Sequence, residues 1–239
     1  MKGFILALQF LTRLPTPRVR ADGEAFARSM LWFPAVGLVI GVLVTAAAWA
    51  GTHIDPWTGG LVALVAWVAV TGALHLDGLS DLADAGGAAH KGRERLLAVL
   101  ADPHVGSFGA VAIGLQLIAK LVLLHALIER EMLVGLILIP FAARIGPLVW
   151  TRWLPSLHDG LASRFRAVVR PSDLAIWLVL LTASAWFAPA ILVAPILIAG
   201  WVWWLRQRIG GISGDGHGAG IELVETGLLL ALLVGAAIR

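Results

Sequence analysis

Cysteine is absent from this chain of 239 residues. Its absence excludes disulfides, thiolate-held zinc, iron–sulfur clusters and cysteine nucleophiles. It also removes the usual indicator of the redox compartment. Charge is scarce as well, because only 14% of the residues are charged, and the basic residues are scattered rather than run together. A nucleic-acid-binding surface is therefore not predicted.

Apolar residues, in contrast, make up 59% of the chain. This fraction lies far above that of soluble domains and predicts an integral membrane protein. The hydrocarbon core of a bilayer requires about 20 apolar residues per helix. We therefore predict an all-α, polytopic membrane protein with about seven transmembrane helices. The predicted spans are residues 32–50, 58–75, 106–128, 132–151, 174–188, 189–205 and 220–238.

The distribution of basic residues predicts the orientation in the membrane. Fourteen Lys and Arg residues precede the first span or lie in alternate loops, whereas the remaining loops and the C-terminus hold two. This asymmetry predicts a cytoplasmic N-terminus and an external C-terminus. The apolar run at the N-terminus lacks a small-residue cleavage site, so we expect an interfacial helix rather than a signal peptide. No repeat or second domain is found, and residues 1–239 are predicted to form a single domain.

Three aspartates stand out in the segment LHLDGLSDLADAGG, residues 74–87. Asp77, Asp81 and Asp84 are spaced i, i+4, i+7, which places them on one face of a helix. Their charges repel one another unless a cation lies among them, and hard oxygen ligands suit Mg²⁺ or Mn²⁺. A single aspartate could instead cap a helix start. Three aspartates on one face of a helix favour a metal site instead, and Asp102 could be a further ligand.

Several cations are candidates for phosphate binding. Arg93 follows the aspartates together with Lys91 and Arg95, a trio that could bind phosphate or simply set the topology. Lys120 and Arg144 lie inside predicted spans, where an unpaired cation costs several kcal/mol. We therefore expect both to have acidic partners, and we predict that both bind phosphate.

A second polar segment, GGISGDGHGAGIELVE, leads into the last predicted span. Its glycines leave backbone N–H groups open to an anion, and Asp215 adds a potential metal ligand. The alternative is a flexible glycine loop, with Glu222 and Glu225 pairing with the intramembrane cations. Three further polar residues lack metal-binding spacing and are not predicted as catalysts: His75, His90 and His104.

These motifs together resemble a known family. HLDGLSDLADA, ADPHVGSFG, the Ala-Lys pair ending at Lys120, the AAR ending at Arg144 and SGDGHGAGIELVE are similar, in this order, to the adenosylcobinamide-GDP ribazoletransferases, or cobalamin-5'-phosphate synthases. FLTRLPTPR and FPAVGLVIG match as well, so the resemblance covers nearly the whole chain. Ala85 departs from the glycine expected there, and Ser213 and Gly216 replace frequent threonines.

The resemblance implies transfer of the adenosylcobinamide phosphate group from adenosylcobinamide-GDP to α-ribazole or its 5'-phosphate, with release of GMP and use of Mg²⁺. It implies a multi-pass protein of the bacterial inner membrane whose active site faces the cytoplasm. The lipid bilayer is an implied partner. The protein could also form a homo-oligomer, which the resemblance does not decide. The residues implied as metal-binding and catalytic are Asp77, Asp81 and Asp84, with Asp102 as a further ligand. We further predict substrate binding by Arg93, Lys120, Arg144, Ser213, Asp215 and Glu222.

Two other functions fit part of the pattern. A CDP-alcohol phosphatidyltransferase also places aspartates at cytoplasmic helix ends, but its motif has an Ala-Arg element that is missing after Gly78. An ion-coupled transporter would use the intramembrane charges. Inverted repeats that would support a transporter are not seen in the sequence.

Overall fold

The computed structural model describes residues 2–88, 92–102, 104–157, 165–166 and 168–237. Within these residues the protein is built from α-helices, joined by short 3-10 turns and loops, and the only extended pairing is an isolated bridge between Ser156 and Ile212. The prediction of an all-α fold is thereby confirmed.

Twelve α-helices lie in the described part of the chain. The first six are α1 (Lys2–Leu11), α2 (Gly23–Ser29), α3 (Phe33–Thr52), α4 (Pro56–Thr71), α5 (Leu74–Ala88) and α6 (Arg93–Leu100). The other six are α7 (Ser107–Glu129), α8 (Leu133–Ala143), α9 (Gly146–Trp153), α10 (Pro171–Ser184), α11 (Ala194–Arg208) and α12 (Gly214–Ala237).

Five continuous helical stretches in the described residues are long and apolar enough to cross a membrane, and a sixth is added if the bent pair α4–α5 counts as one span. The five are Gly23–Thr52, Ser107–Glu129, Leu133–Trp153, Pro189–Arg208 and Gly214–Ala237. The prediction of a polytopic helical membrane protein is confirmed. Of the seven predicted spans, residues 174–188 correspond to α10, which has only 14 residues, and residues 58–75 correspond to the bent pair.

The bend between α4 and α5 has a clear backbone cause. Gly72 and Ala73 both have left-handed backbone angles, with φ of 61° and 59°. Their N–H groups donate to Ala69 and Val68, which closes the C-terminus of α4. The chain then turns by 85° into α5. The sequence pattern missed this break because the apolar residues continue through it.

Two sets of contacts between helices position the site. Helix α3 packs against α4 and α8, and α12 packs against α5, α7 and α8. Close approach of α5 and α12 depends on glycine: a Cβ added at Gly78 would lie 2.9 Å from the Asp215 Cα, and one added at Gly218 would lie 3.3 Å from the His75 Cα. The glycine-rich segment that we considered as a flexible loop therefore forms the first turns of α12.

Candidate active site

The three aspartates of the LHLDGLSDLADA segment lie on α5 as their spacing predicts. Because α5 is a regular helix through all three positions, their side chains leave it within an arc of about 60°. Asp77 is exposed, and Asp81 and Asp84 are partly buried. Asp77 lies inside the first turn of α5, where its N–H donates to Ala73. It is therefore not the N-cap that the alternative interpretation required.

A fourth carboxylate joins this row from the far end of the chain. Asp215 lies in the first turn of α12, whose backbone contacts α5 at Gly78. Asp81 lies within electrostatic range of Asp215 as well as of Asp77 and Asp84. Four like charges brought together in this way repel one another, so the arrangement favours binding of a cation. Ser213 contributes indirectly, because its hydroxyl contacts the Asp215 carboxylate at 3.3 Å and accepts the Gly216 N–H at 3.1 Å.

Asp84 also has a structural task. Its Oδ2 accepts the N–H of Gly106 at 2.8 Å, and its Oδ1 accepts that of Gly109 at 3.0 Å. Both amides belong to the N-terminal end of α7, where N–H groups lack partners within the helix. Asp84 thus caps α7 and ties it to α5, while its role as a metal ligand stays a prediction.

Asp102, the other acid predicted for the metal site, lies apart from the aspartates of α5 in its contacts. Asp102 is exposed on the turn after α6, and the structure pairs it with His104 rather than with the aspartates of α5. Hydrogen bonds from the His104 side chain and backbone hold the pKa of Asp102 below its usual range. Arg93, at the start of α6, donates to the Ile209 carbonyl at 3.3 Å. This contact places its guanidinium beside the loop that leads to Asp215.

Lys120 and Arg144 form a buried network with two glutamates of α12. Lys120 Nζ lies 2.7 Å from Glu222 and 2.6 Å from Glu225, and Arg144 Nη1 lies 2.8 Å from Glu225. All four are at most 4% exposed. Two cations and two anions balance in charge, which offsets the cost of burying them. The expectation of acidic partners is confirmed, and phosphate binding by Lys120 and Arg144 stays a prediction.

Uncharged polar and aromatic groups complete the network. Gln116 donates to the backbone and side chain of Glu222 at 2.9 and 2.8 Å. The Lys120 ammonium lies 4.4 Å from the centroid of the Trp67 ring. Arg144 Nη2 lies 3.4 Å from Nδ1 of His75, two residues before Asp77. The network therefore links α7, α12 and the C-terminal end of α8 to His75 on α5.

A cleft of about 160 Å³ opens beside the acids, and Asp77 and Asp215 both line it. Its other walls are mainly apolar and include Phe10 and Phe33. His217 lines the cleft as well. The sequence analysis missed this cleft and His217, and it set His75 aside as a histidine without a catalytic role; both histidines are buried. Their closeness to aspartates in the same two motifs was the signal that could have found them.

Chemically, the acids fit a magnesium ion that shares its ligands with a substrate. The described residues contain no group of three or more His, Cys, Asp or Glu side chains arranged to hold a metal ion. Mg²⁺ commonly keeps several waters and uses only one or two carboxylates together with phosphate oxygens. Asp81, which is partly buried, together with either the exposed Asp77 or the partly buried Asp215 would provide that smaller set.

Comparison with known proteins gives the family. A family model described as cobalamin-5-phosphate synthase matches residues 3–233. The adenosylcobinamide-GDP ribazoletransferase of Novosphingobium aromaticivorans is 66% identical, over 98% of this chain and 97% of the relative. Those of Laribacter hongkongensis and Thiobacillus denitrificans are 50% and 47% identical, over 98% and 100% of this chain and 97% of each relative.

No solved structure matches the chain. The family match is nevertheless nearly complete in length, and it includes both motifs that supply the clustered aspartates. The chain therefore belongs to the cobalamin-5-phosphate synthase family and is a transferase of cobalamin synthesis.

Proposed function

We propose that the protein transfers the adenosylcobinamide phosphate group from adenosylcobinamide-GDP to a hydroxyl of α-ribazole or α-ribazole 5'-phosphate. The products are adenosylcobalamin or its 5'-phosphate, and GMP. The observation that carries the proposal is the meeting of Asp77 and Asp81 with Asp215, which is more than 130 positions away in the chain. Family membership supports the choice of substrates, since the curated relatives are named for this reaction.

The bond changes are those of a phosphoryl transfer. The acceptor hydroxyl oxygen forms a bond to the phosphorus that carries cobinamide, and the bond from this phosphorus to the oxygen bridging to GMP breaks. GMP leaves with the electron pair, and the hydroxyl proton passes to a carboxylate of the cluster. Such a reaction needs positioning and charge stabilisation rather than a covalent nucleophile.

We assign the residues as follows. Asp81, together with Asp77 or Asp215, would hold Mg²⁺, which when bound neutralises charge on the diphosphate. Arg93, whose guanidinium lies beside the loop before Asp215, would contact the phosphate. Asp84 keeps α5 in place through its bonds to α7.

We further propose that this site faces the cytoplasm of a bacterium, in the inner membrane. The support is the excess of Lys and Arg in the N-terminal segment and alternate loops of the sequence. The phosphatidyltransferase and transporter alternatives lose their support, because the family model covers nearly the whole chain. The buried charges that a transporter would use are paired with one another.

The proposal predicts turnover in a defined mixture. Purified protein with adenosylcobinamide-GDP, α-ribazole and Mg²⁺ should release GMP and form a new corrinoid, and EDTA should stop both. Asp81→Asn should lower the rate by about 100-fold or more, because it removes a carboxylate that would hold the Mg²⁺ on which stabilisation of the phosphate charge depends.

Asp55→Asn is the matched control. Asp55 caps α4 through its bonds to the N–H groups of Trp57 and Thr58, and Asn caps helices about equally well. The Asp55→Asn variant should release GMP at the normal rate. Release of GMP that is unaffected by EDTA, or a normal rate in Asp81→Asn, would contradict the metal assignment.

A further inference from the structure

The cleft beside Asp77 and Asp215 has the walls of an aromatic-ring pocket. Phe10 and Phe33 are stacked with their ring centroids 5.8 Å apart, and Phe165 meets Phe33 edge-on at 6.3 Å. All three line the cleft. An apolar cavity of about 150 Å³ accepts benzene, so a cleft of about 160 Å³ has room for one flat ring system. A corrinoid is far too large for it.

Two buried histidines add polar atoms to these walls. His75 and His217 both line the cleft and are 3% and 8% exposed. Among the described residues, Nε2 of His75 and Nδ1 of His217 have no hydrogen-bond partner. A buried polar atom without a partner is costly. A ligand in the cleft can supply the missing partner.

The contacts of His75 define which hydrogen it carries. Its Nδ1 lies 3.4 Å from Nη2 of Arg144, and a guanidinium can only donate. Nδ1 must therefore accept, which leaves the hydrogen of a neutral ring on Nε2. The partner missing at His75 is thus an acceptor. The contact of His217 Nε2 with the Thr151 hydroxyl, at 3.2 Å, permits either direction.

We propose that this cleft binds the base of the acceptor nucleoside and that His75 Nε2–H donates to the free ring nitrogen of that base. The base is a flat, largely apolar heterocycle with one acceptor nitrogen, as the methylated benzimidazole of a ribazole is. Guanine, the base of the donor, carries several donors and acceptors, more than the few polar groups of these mainly apolar walls would pair. A base held in this cleft places its ribose beside Asp77 and Asp215.

This inference rests on the proposed function, because it takes the acceptor to be a ribazole. It is tested by binding without turnover, so the two can fail separately. Isothermal titration of the purified full-length protein compares α-ribazole with its isosteric dimethylindole riboside, in which a C–H replaces the ring nitrogen. The analogue should bind about tenfold more weakly, because one hydrogen bond is lost. Equal affinities overturn the role of His75.

A steric variant tests the location of the cleft. Gly214 lines the cleft, and a Cβ added there meets no atom within 4 Å. Gly214→Leu should therefore add bulk at the cleft without a clash at its Cβ, and should weaken α-ribazole binding tenfold or more. Gly114→Leu, at an equally open position on α7, should bind normally. Unchanged binding by Gly214→Leu overturns the proposal.

Replacing the histidine links the two measurements. In His75→Phe the distinction between α-ribazole and the indole analogue should disappear, and both should bind with the affinity of the analogue. Persistent tenfold discrimination in this variant would contradict the assignment. Binding as predicted without any GMP release would instead contradict the proposed function and leave the cleft assignment standing.

Discussion

At the scale of single residues, the charges of the protein fall into two groups with opposite character. Asp77, Asp81 and Asp215 are like charges close to one another and at least partly open to solvent. The charges around Lys120 and Arg144 are balanced and buried. A cluster of like charges gains from a bound cation, whereas a balanced network is stable without a ligand.

This contrast predicts the effect of removing Lys120. Lys120→Met leaves two buried glutamates with a single cation, which should lower the free energy of unfolding by about 3–5 kcal/mol. The double variant Lys120→Met, Glu222→Leu keeps the Arg144–Glu225 pair and should recover most of this loss. Thermal unfolding in detergent micelles measures both.

The same double variant decides the role of Lys120 in catalysis. If the network is only structural, the stable double variant should release GMP at close to the normal rate. A variant that is stable but inactive would instead support the sequence-based prediction that Lys120 or Glu222 binds substrate.

At the scale of helices, the contact between α5 and α12 brings the acids together. Gly78→Ala should separate these helices, because the added Cβ would lie 2.9 Å from the Asp215 Cα. Overpacking of this kind costs about 1–3 kcal/mol. Displacement of Asp215 should also lower turnover at least tenfold. Turnover and unfolding temperature are measured on the same preparation.

Gly86→Ala on the same helix is the control. Its added Cβ meets no atom within 4 Å, and alanine favours a helix over glycine by up to about 1 kcal/mol. This variant should be active and slightly more stable. Equal activity of Gly78→Ala and Gly86→Ala would show that the site does not depend on the α5–α12 contact.

The tie between α5 and α7 gives a second prediction for the helices. Asp84→Asn replaces one acceptor oxygen by an amide group, so either Gly106 or Gly109 loses its partner. Hydrogen exchange at the N-terminal end of α7 should become about tenfold faster, since a bond to a charged group contributes about 1.5–3 kcal/mol. Mass spectrometry of peptides from this region measures the rate. Unchanged exchange would contradict the capping role.

The sequence predicts the helix that carries the aspartates better than it predicts the helix ends. The i, i+4, i+7 spacing placed Asp77, Asp81 and Asp84 on one face because it depends only on helix geometry. The start of α12 was misjudged, since glycine is a poor helix former. Close packing of Gly78 and Gly218 between α5 and α12 overrides that preference.

The candidate site was predictable from the sequence only where it depends on residues close together in the chain. The joining of Asp215 to the α5 row, and the cleft with His75 and His217, depend on contacts between segments far apart in the sequence. A single sequence carries no direct record of such contacts. The pairing of Lys120 and Arg144 with glutamates was predictable, because the high cost of a lone charge in a membrane requires a partner.

At the scale of the whole molecule, the orientation in the membrane is open to a direct test. The chain has no cysteine, so a single introduced cysteine reports its own position. Glu94 and Arg130 are exposed and lie on either side of α7, which is about 34 Å long. In intact cells, an impermeant maleimide should label Arg130→Cys and not Glu94→Cys.

Detergent-opened membranes provide the control, because both cysteines should then be labelled. The reverse pattern in intact cells would place the aspartates outside the cytoplasm and contradict the proposed orientation. Labelling of both positions in intact cells would show that α7 does not separate the two compartments.

The right-angled turn at Gly72 and Ala73 affects how a bulky donor can approach the enzyme. If α5 continued the direction of α4, Asp84 would lie about 10 Å deeper than Asp77, at 1.5 Å per residue. Because the chain turns by 85°, α5 runs nearly parallel to the membrane plane when α4 is perpendicular to it. The acids on α5 then lie at similar depth. A diphosphate could then rest along the row while its two large substituents stay in water.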